Sequence, residues 1–126
     1  MTDEQIALSR RAVACRGWRW MPGMLDDDGC TVCSASDDGY LLLASSEDSI
    51  VGWWPVAERL PDLSDAATLG CLLALVRAAG GDPKITVVPR GASVWAVTHA
   101  GWLHKQAIAC GTTEAEALVA ALESAP

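Results

Sequence analysis

The stretch LPDLSDAATLGCLLALVRAAGG, residues 60–81, contains the strongest helix signal in the chain and decides how the rest is interpreted. Asp62 or Ser64 can cap its start, and Gly80-Gly81 ends it. Its apolar residues recur at helical spacing, namely Leu69, Leu72, Leu73 and Val76. Gly70 costs about 1 kcal/mol relative to alanine inside a helix, so we expect a close backbone approach there. A central helix is therefore predicted, with β structure on both sides of it.

Outward from this helix, each flank has the pattern of three short strands and one further helix. The predicted strands cover residues 30–35, 40–44, 49–54, 84–88, 93–99 and 102–110. Thr2-x-x-Gln5 and Thr113-x-x-Glu116 have the form of capping boxes and open the two outer helices. Strands joined by short turns pair in antiparallel fashion. The sequence therefore predicts a single α+β domain over residues 1–126, with the order α-βββ-α-βββ-α and helices packed on one face of an antiparallel sheet.

Charge is distributed unevenly along the 126 residues, whose net charge is −7. Residues 1–24 are slightly basic, residues 25–65 hold ten acids against Arg59 alone, and residues 66–126 are balanced. Binding to a phosphate backbone needs a clustered excess of lysine and arginine, so the sequence argues against a nucleic-acid partner.

No apolar run approaches the roughly 18 residues that a membrane helix needs, and no signal segment opens the chain. A cytoplasmic protein without a membrane partner is predicted.

Motifs of the common enzyme classes are missing. The chain has no Gly-x-Ser-x-Gly, no glycine-rich phosphate loop before a helix and no His-Glu-x-x-His. We therefore predict that it is not an enzyme and that it has no catalytic residues and no cofactor.

Cys30 and Cys33 are three apart in a predicted strand and would point to opposite faces, which is poor geometry for a shared zinc. The sequence predicts buried free thiols and no metal site, and the run Asp26-Asp27-Asp28-Gly29 is interpreted as a solvated acidic loop.

Aromatic and histidine residues of the last predicted hairpin form the candidate binding surface. A two-residue turn at 100–101 would pair His99 with Trp102 and Val97 with His104. One face then displays Trp95, His99, Trp102 and His104. Trp54 joins this surface because one of two adjacent tryptophans in a strand should point outward. In the alternative interpretation these tryptophans belong to the core, since a chain without phenylalanine needs their volume.

Three stretches of the chain resemble small proteins encoded by tailed bacteriophages and prophages. They are residues 16–24 (RGWRWMPGM), residues 60–77 (LPDLSDAATLGCLLALVR) and residues 111–123 (GTTEAEALVAALE). The resemblance implies a phage origin and action inside the cytoplasm of a bacterial host. It carries no catalytic signature, and the group has no established activity.

Three functions are compatible with these observations. The leading hypothesis is a small phage accessory protein that binds a host protein and inhibits a bacterial defence system such as CRISPR interference. Its acidic middle segment would cover a basic nucleic-acid-binding surface on the partner. The first alternative is a small-ligand binding protein for a nucleotide signal, which would use the Trp/His surface to stack and hydrogen-bond a base. The second alternative is a minor structural or morphogenetic component of a phage.

Overall fold

The predicted α+β class and element order are confirmed by a computed structural model, which describes residues 1–45, 47, 49–99 and 107–126. The elements are α1 (Asp3–Val13), β1 (Thr31–Ala35), β2 (Tyr40–Ala44), β3 (Ile50–Pro55), a short 3-10 helix (Val56–Glu58), α2 (Ala66–Gly80), β4 (Thr86–Pro89), β5 (Trp95–Thr98), β6 (Ala109–Gly111) and α3 (Glu114–Ser124). The strands form two antiparallel sheets, ordered β1-β2-β3 and β4-β5-β6, where the sequence pattern was interpreted as one. No helix within the described residues is long and apolar enough to cross a membrane.

The described residues divide into two compact units that are interleaved along the chain. The first unit comprises Met1–Val13 and Arg19–Cys71, and the second comprises Ala14–Trp18 and Leu72–Pro126. One boundary falls inside α2, so the first part of this helix belongs to the first unit and the remainder to the second.

The core of the first unit includes one face of the β1-β2-β3 sheet. Val32 pairs with Leu43, and Leu41 lies on the same face because side chains alternate along a strand. These three side chains are at most 1% exposed. The other buried apolar residues of this unit are Ala12, Trp20, Met24, Ala44 and Leu63. The side chains on the opposite face of this sheet point away from this core.

The predicted capping box is complete at α1 and half formed at α3. The Thr2 N–H donates to Oε1 of Gln5 at 2.8 Å, and the Gln5 N–H donates to Oγ1 of Thr2 at 3.1 Å. At α3, Oγ1 of Thr113 accepts from the Glu116 N–H at 3.1 Å. The Glu116 carboxylate accepts from the hydroxyl of Thr112 instead of reaching back to the cap.

The predicted caps of α2, Asp62 and Ser64, are wrong. Asp65 caps this helix, and its Oδ2 accepts from the Thr68 N–H at 2.9 Å. Asp62 instead closes the preceding turn by accepting from the Ser64 N–H at 3.0 Å. The hydroxyl of Thr68 is fully buried and accepts from the Leu25 N–H at 2.9 Å. This bond joins the start of α2 to the segment before β1, a tertiary contact that sequence periodicity does not reveal.

Gly70 lies in open space, so the predicted close backbone approach at this position is wrong. Apart from the backbone of α2 itself and the neighbouring residues, no atom of the described part of the chain lies within 4 Å of the position that a Cβ would take. We expect Gly70→Ala to raise the free energy of unfolding by about 1 kcal/mol, or the melting temperature by roughly 4 °C, because alanine loses less entropy in a helix. A thermal melt measures this. Gly81→Ala is the control and should destabilise, since Gly81 has φ +66°. An unchanged melting temperature for Gly70→Ala would contradict the prediction.

The second unit is built around β5, which is buried on both faces. Ala96 and Val97 are fully buried and Thr98 is 5% exposed. α3 packs on this sheet and contributes the buried side chains Ala117, Leu118, Val119, Ala121 and Leu122. The burial of both faces explains the mixed small and branched composition of β5, because the side chains on each face of the strand contact other protein atoms rather than water.

The predicted register between the last two strands is wrong. Val97 pairs with Ala109 rather than with His104, and Trp95 pairs with Gly111. Relative to the pairing that a two-residue turn would give, the last strand is shifted by five residues. Because side chains alternate along a strand, a shift by an odd number of residues moves each side chain of the last strand to the opposite face of the sheet. The face assignment derived for the last hairpin therefore does not apply to β5 and β6.

Candidate functional site

The face of the first sheet opposite its core carries exposed aromatic and apolar side chains. We call Tyr40, Leu42, Ile50 and Trp53 the outer face. Leu42 pairs with Trp53, and Ile50 pairs with Ala44, two residues along from Leu42. Trp53 is 53% exposed, Tyr40 is 42% exposed and Ile50 is 64% exposed. Single exposed apolar side chains are ordinary, but several neighbouring ones on a sheet mark an interaction site.

A bulge in β3 adds to the apolar character of this sheet. The pairing of β2 with β3 shifts between Leu43 and Ala44, which leaves Val51 as the additional residue of β3. Val51 is 45% exposed, and Gly52 takes the positive φ of +125° beside it. β3 lies at the edge of the sheet in the described residues. A partner could therefore contact its exposed side chains along the edge of the sheet as well as on the outer face.

A groove opens at the hairpin end of the outer face, with a volume of about 370 Å³ and a lining of Ser36, Asp38, Tyr40 and Trp53. We call it the turn groove. The hydroxyl of Ser36 accepts from the Tyr40 N–H at 3.0 Å and donates to Oδ1 of Asp38 at 2.5 Å. Gly39 completes the turn with φ +92°. These bonds hold a carboxylate at the wall of a groove that also contains two exposed aromatic rings.

Trp54, which the sequence placed on the binding surface, points to the other face of β3 and is covered by Arg59. The guanidinium carbon lies 4.7 Å from the ring centroid. The Arg59 side chain is only 9% exposed, and its Nη1 contacts Asp28 and lies 3.6 Å from Oδ2 of Asp26. Burial opposes the charge of Arg59, but the hydrogen bond that Arg59 donates to Asp28 and the nearby carboxylates outweigh it and raise the pKa of Arg59. Trp54 remains 37% exposed, yet this contact makes it part of the fold.

Asp26 is buried, so the interpretation of residues 26–29 as a solvated loop is wrong for its first residue. The residue is 1% exposed, and its Oδ1 accepts from the N–H groups of Asp28 at 3.0 Å and Cys30 at 2.7 Å. Its Oδ2 forms no hydrogen bond within the described part of the chain and faces Arg59. Burial raises the pKa of this carboxyl. The spacing of an aspartate three residues before Gly29 is the sequence signal that indicates such a turn.

The raised pKa of Asp26 predicts a specific pH dependence. Because this pKa lies above its ordinary value of 3.8, the folded chain binds the proton more tightly than the unfolded chain. The contribution of Asp26 to stability therefore falls as the pH rises above about 4. Asp26→Asn keeps the Oδ1 acceptor and removes the titration, so this variant should gain stability relative to the native protein as the pH rises. Urea unfolding between about pH 3.5 and 7 measures this difference.

Asp27→Asn is the matched control for this titration, since Asp27 is an exposed neighbour with the same charge. Because the Asp27 carboxylate adds a small part to the raised pKa of Asp26, the control should weaken the pH dependence slightly without abolishing it. A constant difference between the native protein and Asp26→Asn over the whole range would contradict the assignment of the titration to Asp26.

The five cysteines, all within the described residues, are free thiols. Cys33 and Cys110 are exposed and the other three are half-buried, so the prediction of buried thiols is wrong. Burial raises the pKa of the Cys30 and Cys71 thiols, and neighbouring carboxylates raise them further. Neither environment favours a thiolate nucleophile. In residues 1–45, 47, 49–99 and 107–126, no group of three histidine, cysteine or acidic residues is placed to hold a metal ion.

The other residues predicted for the binding surface are distributed as follows. Trp95 is half-buried, and His99 is exposed with its Nδ1 at 2.8 Å from Oδ2 of Asp82. Val97, between them on the same strand face, is fully buried. Trp102 and His104 lie outside the described residues. Trp95 and His99 belong to the second unit, whereas Trp54 belongs to the first.

Comparisons of this chain with protein-family models, with curated proteins and with solved structures find no match. The outer face and the turn groove are the features of the described residues that bear most directly on function. Sequence patterning did not identify Tyr40, Asp38 or Trp53 as site residues, although the Ser36-Asp37-Asp38-Gly39 turn that positions two of them was predicted.

Proposed function

We propose that this protein acts by binding another protein through the outer face of the first sheet. The observation that carries the proposal is the exposure of Trp53, at 53%, beside Tyr40 and Ile50. Tryptophan and tyrosine are enriched at the centres of protein interfaces, because they bury a large area while few torsions become fixed. An exposed cluster of this kind loses contact with water only when a partner covers it.

The partner is proposed to be a basic protein. Residues 25–65 hold ten acids against one arginine, and Arg59 is already paired inside the fold. Asp37 and Asp38 lie in the β1-β2 turn, at the end of the outer face. Complementary charge accelerates association and disfavours acidic partners. The apolar side chains of the outer face would supply most of the affinity, and the acidic residues Asp37 and Asp38 at its end would select a basic partner.

Together with the resemblance to phage proteins, these features support a more specific role. We propose a phage accessory protein that binds a host protein and inhibits a bacterial defence system such as CRISPR interference. Proteins that hold nucleic acid present clustered lysine and arginine to the phosphates. An acidic surface with an apolar centre would compete with nucleic acid for such a cluster.

Trp53→Ala tests the proposed interface. Tagged native protein and the variant are used to capture proteins from a bacterial host lysate at low salt, and the dissociation constant of any recovered partner is then measured by calorimetry. We expect the dissociation constant to rise at least about tenfold, since loss of a central aromatic residue is among the largest single effects at interfaces. The free energy of unfolding should fall by only about 1–2 kcal/mol, because about half of the side chain is exposed, so the variant remains folded.

Val94→Ala is the matched control, since Val94 is an apolar side chain that is 41% exposed on the second unit. A partner retained by the native protein and by this control, but lost with Trp53→Ala, supports the proposal. Equal recovery with all three proteins, or recovery of no specific partner, would overturn it.

A further inference from the structure

We infer that the turn groove receives an arginine side chain of the basic partner. The guanidinium group would lie against the rings of Trp53 and Tyr40 and pair with the carboxylate of Asp38. This inference rests on the proposed function and specifies the contact that its interface makes. It assigns to the outer face an anchor point for one type of side chain.

The lining of the turn groove has the chemistry that recognises a cation. The faces of tryptophan and tyrosine rings attract positive charge, and tryptophan does so most strongly. Asp38 adds a formal negative charge, and the bond from Ser36 engages only its Oδ1. A carboxylate beside two exposed rings would repel a phosphate group, so a nucleotide is a poor occupant of this groove.

An arginine fits these groups better than a lysine does. The guanidinium group is planar, so it can stack on a ring while its N–H groups point sideways to a carboxylate. It is also more weakly hydrated than an ammonium group, which lowers the cost of placing it against an aromatic surface. Because the groove is open, the long side chain of an arginine on the partner can reach into it.

The same combination of groups already exists inside this protein on the opposite face of β3. There the guanidinium of Arg59 lies over the ring of Trp54 and pairs with the carboxylate of Asp28. The turn groove presents the preceding tryptophan of the strand, Trp53, together with Asp38, to the outside. This contact shows that a tryptophan of β3 and an aspartate of a neighbouring turn can hold a guanidinium group between them.

The experiment is a titration of the ¹⁵N-labelled chain, residues 1–126, with the peptide acetyl-Gly-Gly-Arg-Gly-Gly-amide. The resonance of the Trp53 indole N–H, identified by its absence in Trp53→Ala, reports on the groove directly. We expect this resonance to shift with the arginine peptide and to remain in place with a citrulline peptide, which has the same shape without the charge. Asp38→Asn should weaken binding about threefold to tenfold.

Asp37→Asn separates a specific contact from general attraction to an acidic protein. It removes the same charge from the adjacent exposed residue of the turn. Binding by this control should weaken by less than about twofold, because a screened charge outside the groove contributes little. Equal weakening by Asp37→Asn and Asp38→Asn, or equal shifts with arginine and citrulline peptides, would overturn the inference.

Failure of this inference and failure of the proposed function give different results. If a captured partner requires Trp53 while the arginine peptide shifts no indole resonance, the protein-binding function holds and the arginine anchor is wrong. If the peptide binds as expected while no host protein depends on Trp53, the anchor holds and the proposed function is wrong.

Discussion

Arg59→Ala should lower the free energy of unfolding by about 3–5 kcal/mol, because it leaves the buried carboxylate of Asp26 without its cation. The Arg59 side chain is 9% exposed and the Asp26 side chain is fully buried, so in the native protein the charge of Asp26 is compensated by Arg59 rather than by water. The substitution also uncovers the ring of Trp54, over which the guanidinium lies at 4.7 Å. Urea unfolding at pH 7 measures the loss.

Two further measurements show whether the charge of Arg59 or its bulk is responsible. Arg59→Lys retains a cation and should cost much less than the alanine variant. The loss in Arg59→Ala should also shrink as the pH falls towards the raised pKa of Asp26, because a protonated Asp26 no longer needs a counter-charge. A cost below about 1 kcal/mol for Arg59→Ala at pH 7 would show that the pair is not important for stability.

The elements of this fold were predictable because their ends are set by local chemistry. The bounds of β2 follow from the Asp38-Gly39 turn before it, and α2 ends where Gly80-Gly81 was expected to end it. These signals act within a few residues, where one side chain or a glycine decides the backbone conformation. The capping box at Thr2 and Gln5 is of the same kind.

Contacts between distant segments were not predictable in the same way. The burial of Asp26 depends on Arg59, which lies more than thirty positions later, and the backbone partner of Thr68 is Leu25. The division into two sheets likewise depends on which strands meet. Periodicity describes each segment by itself and contains no information about its partner. The sequence therefore predicted where β1 to β5 lie and missed what joins them, and β6 covers Ala109–Gly111 where a strand over residues 102–110 was predicted.

The candidate site shows the same limit at the scale of a single strand. Alternation along β3 indicates that Trp53 and Trp54 face opposite ways, and this is observed. Which of them lies outside depends on the bulge at Val51 and on the cover that Arg59 provides for Trp54. A bulge moves all following side chains to the other face, and it has no reliable sequence signal. The sequence consequently singled out this pair of tryptophans and selected Trp54, whereas the outer face carries Trp53.

Gly111→Ala is expected to destabilise the protein by about 2–3 kcal/mol, although it adds only one methyl group. A Cβ at this position would lie 2.5 Å from the backbone nitrogen of Ala117 and 2.9 Å from the backbone carbonyl carbon of Glu116. These are main-chain atoms of α3, so the contact cannot be relieved by a rotamer change. The helix would have to move away from β6, which disturbs the fully buried side chain of Leu118.

The neighbouring substitution Cys110→Ala distinguishes this steric effect from a general sensitivity of β6. Cys110 is exposed, so its replacement should change the free energy of unfolding by no more than about 0.5 kcal/mol. Thermal melts of both variants, compared with Gly70→Ala in α2, test three sites that differ in the space beside the Cα. A stability of Gly111→Ala within about 0.5 kcal/mol of the native protein would mean that α3 does not approach β6 this closely. The absence of a Cβ at residue 111 is what allows the last strand to lead directly into the helix that covers its sheet.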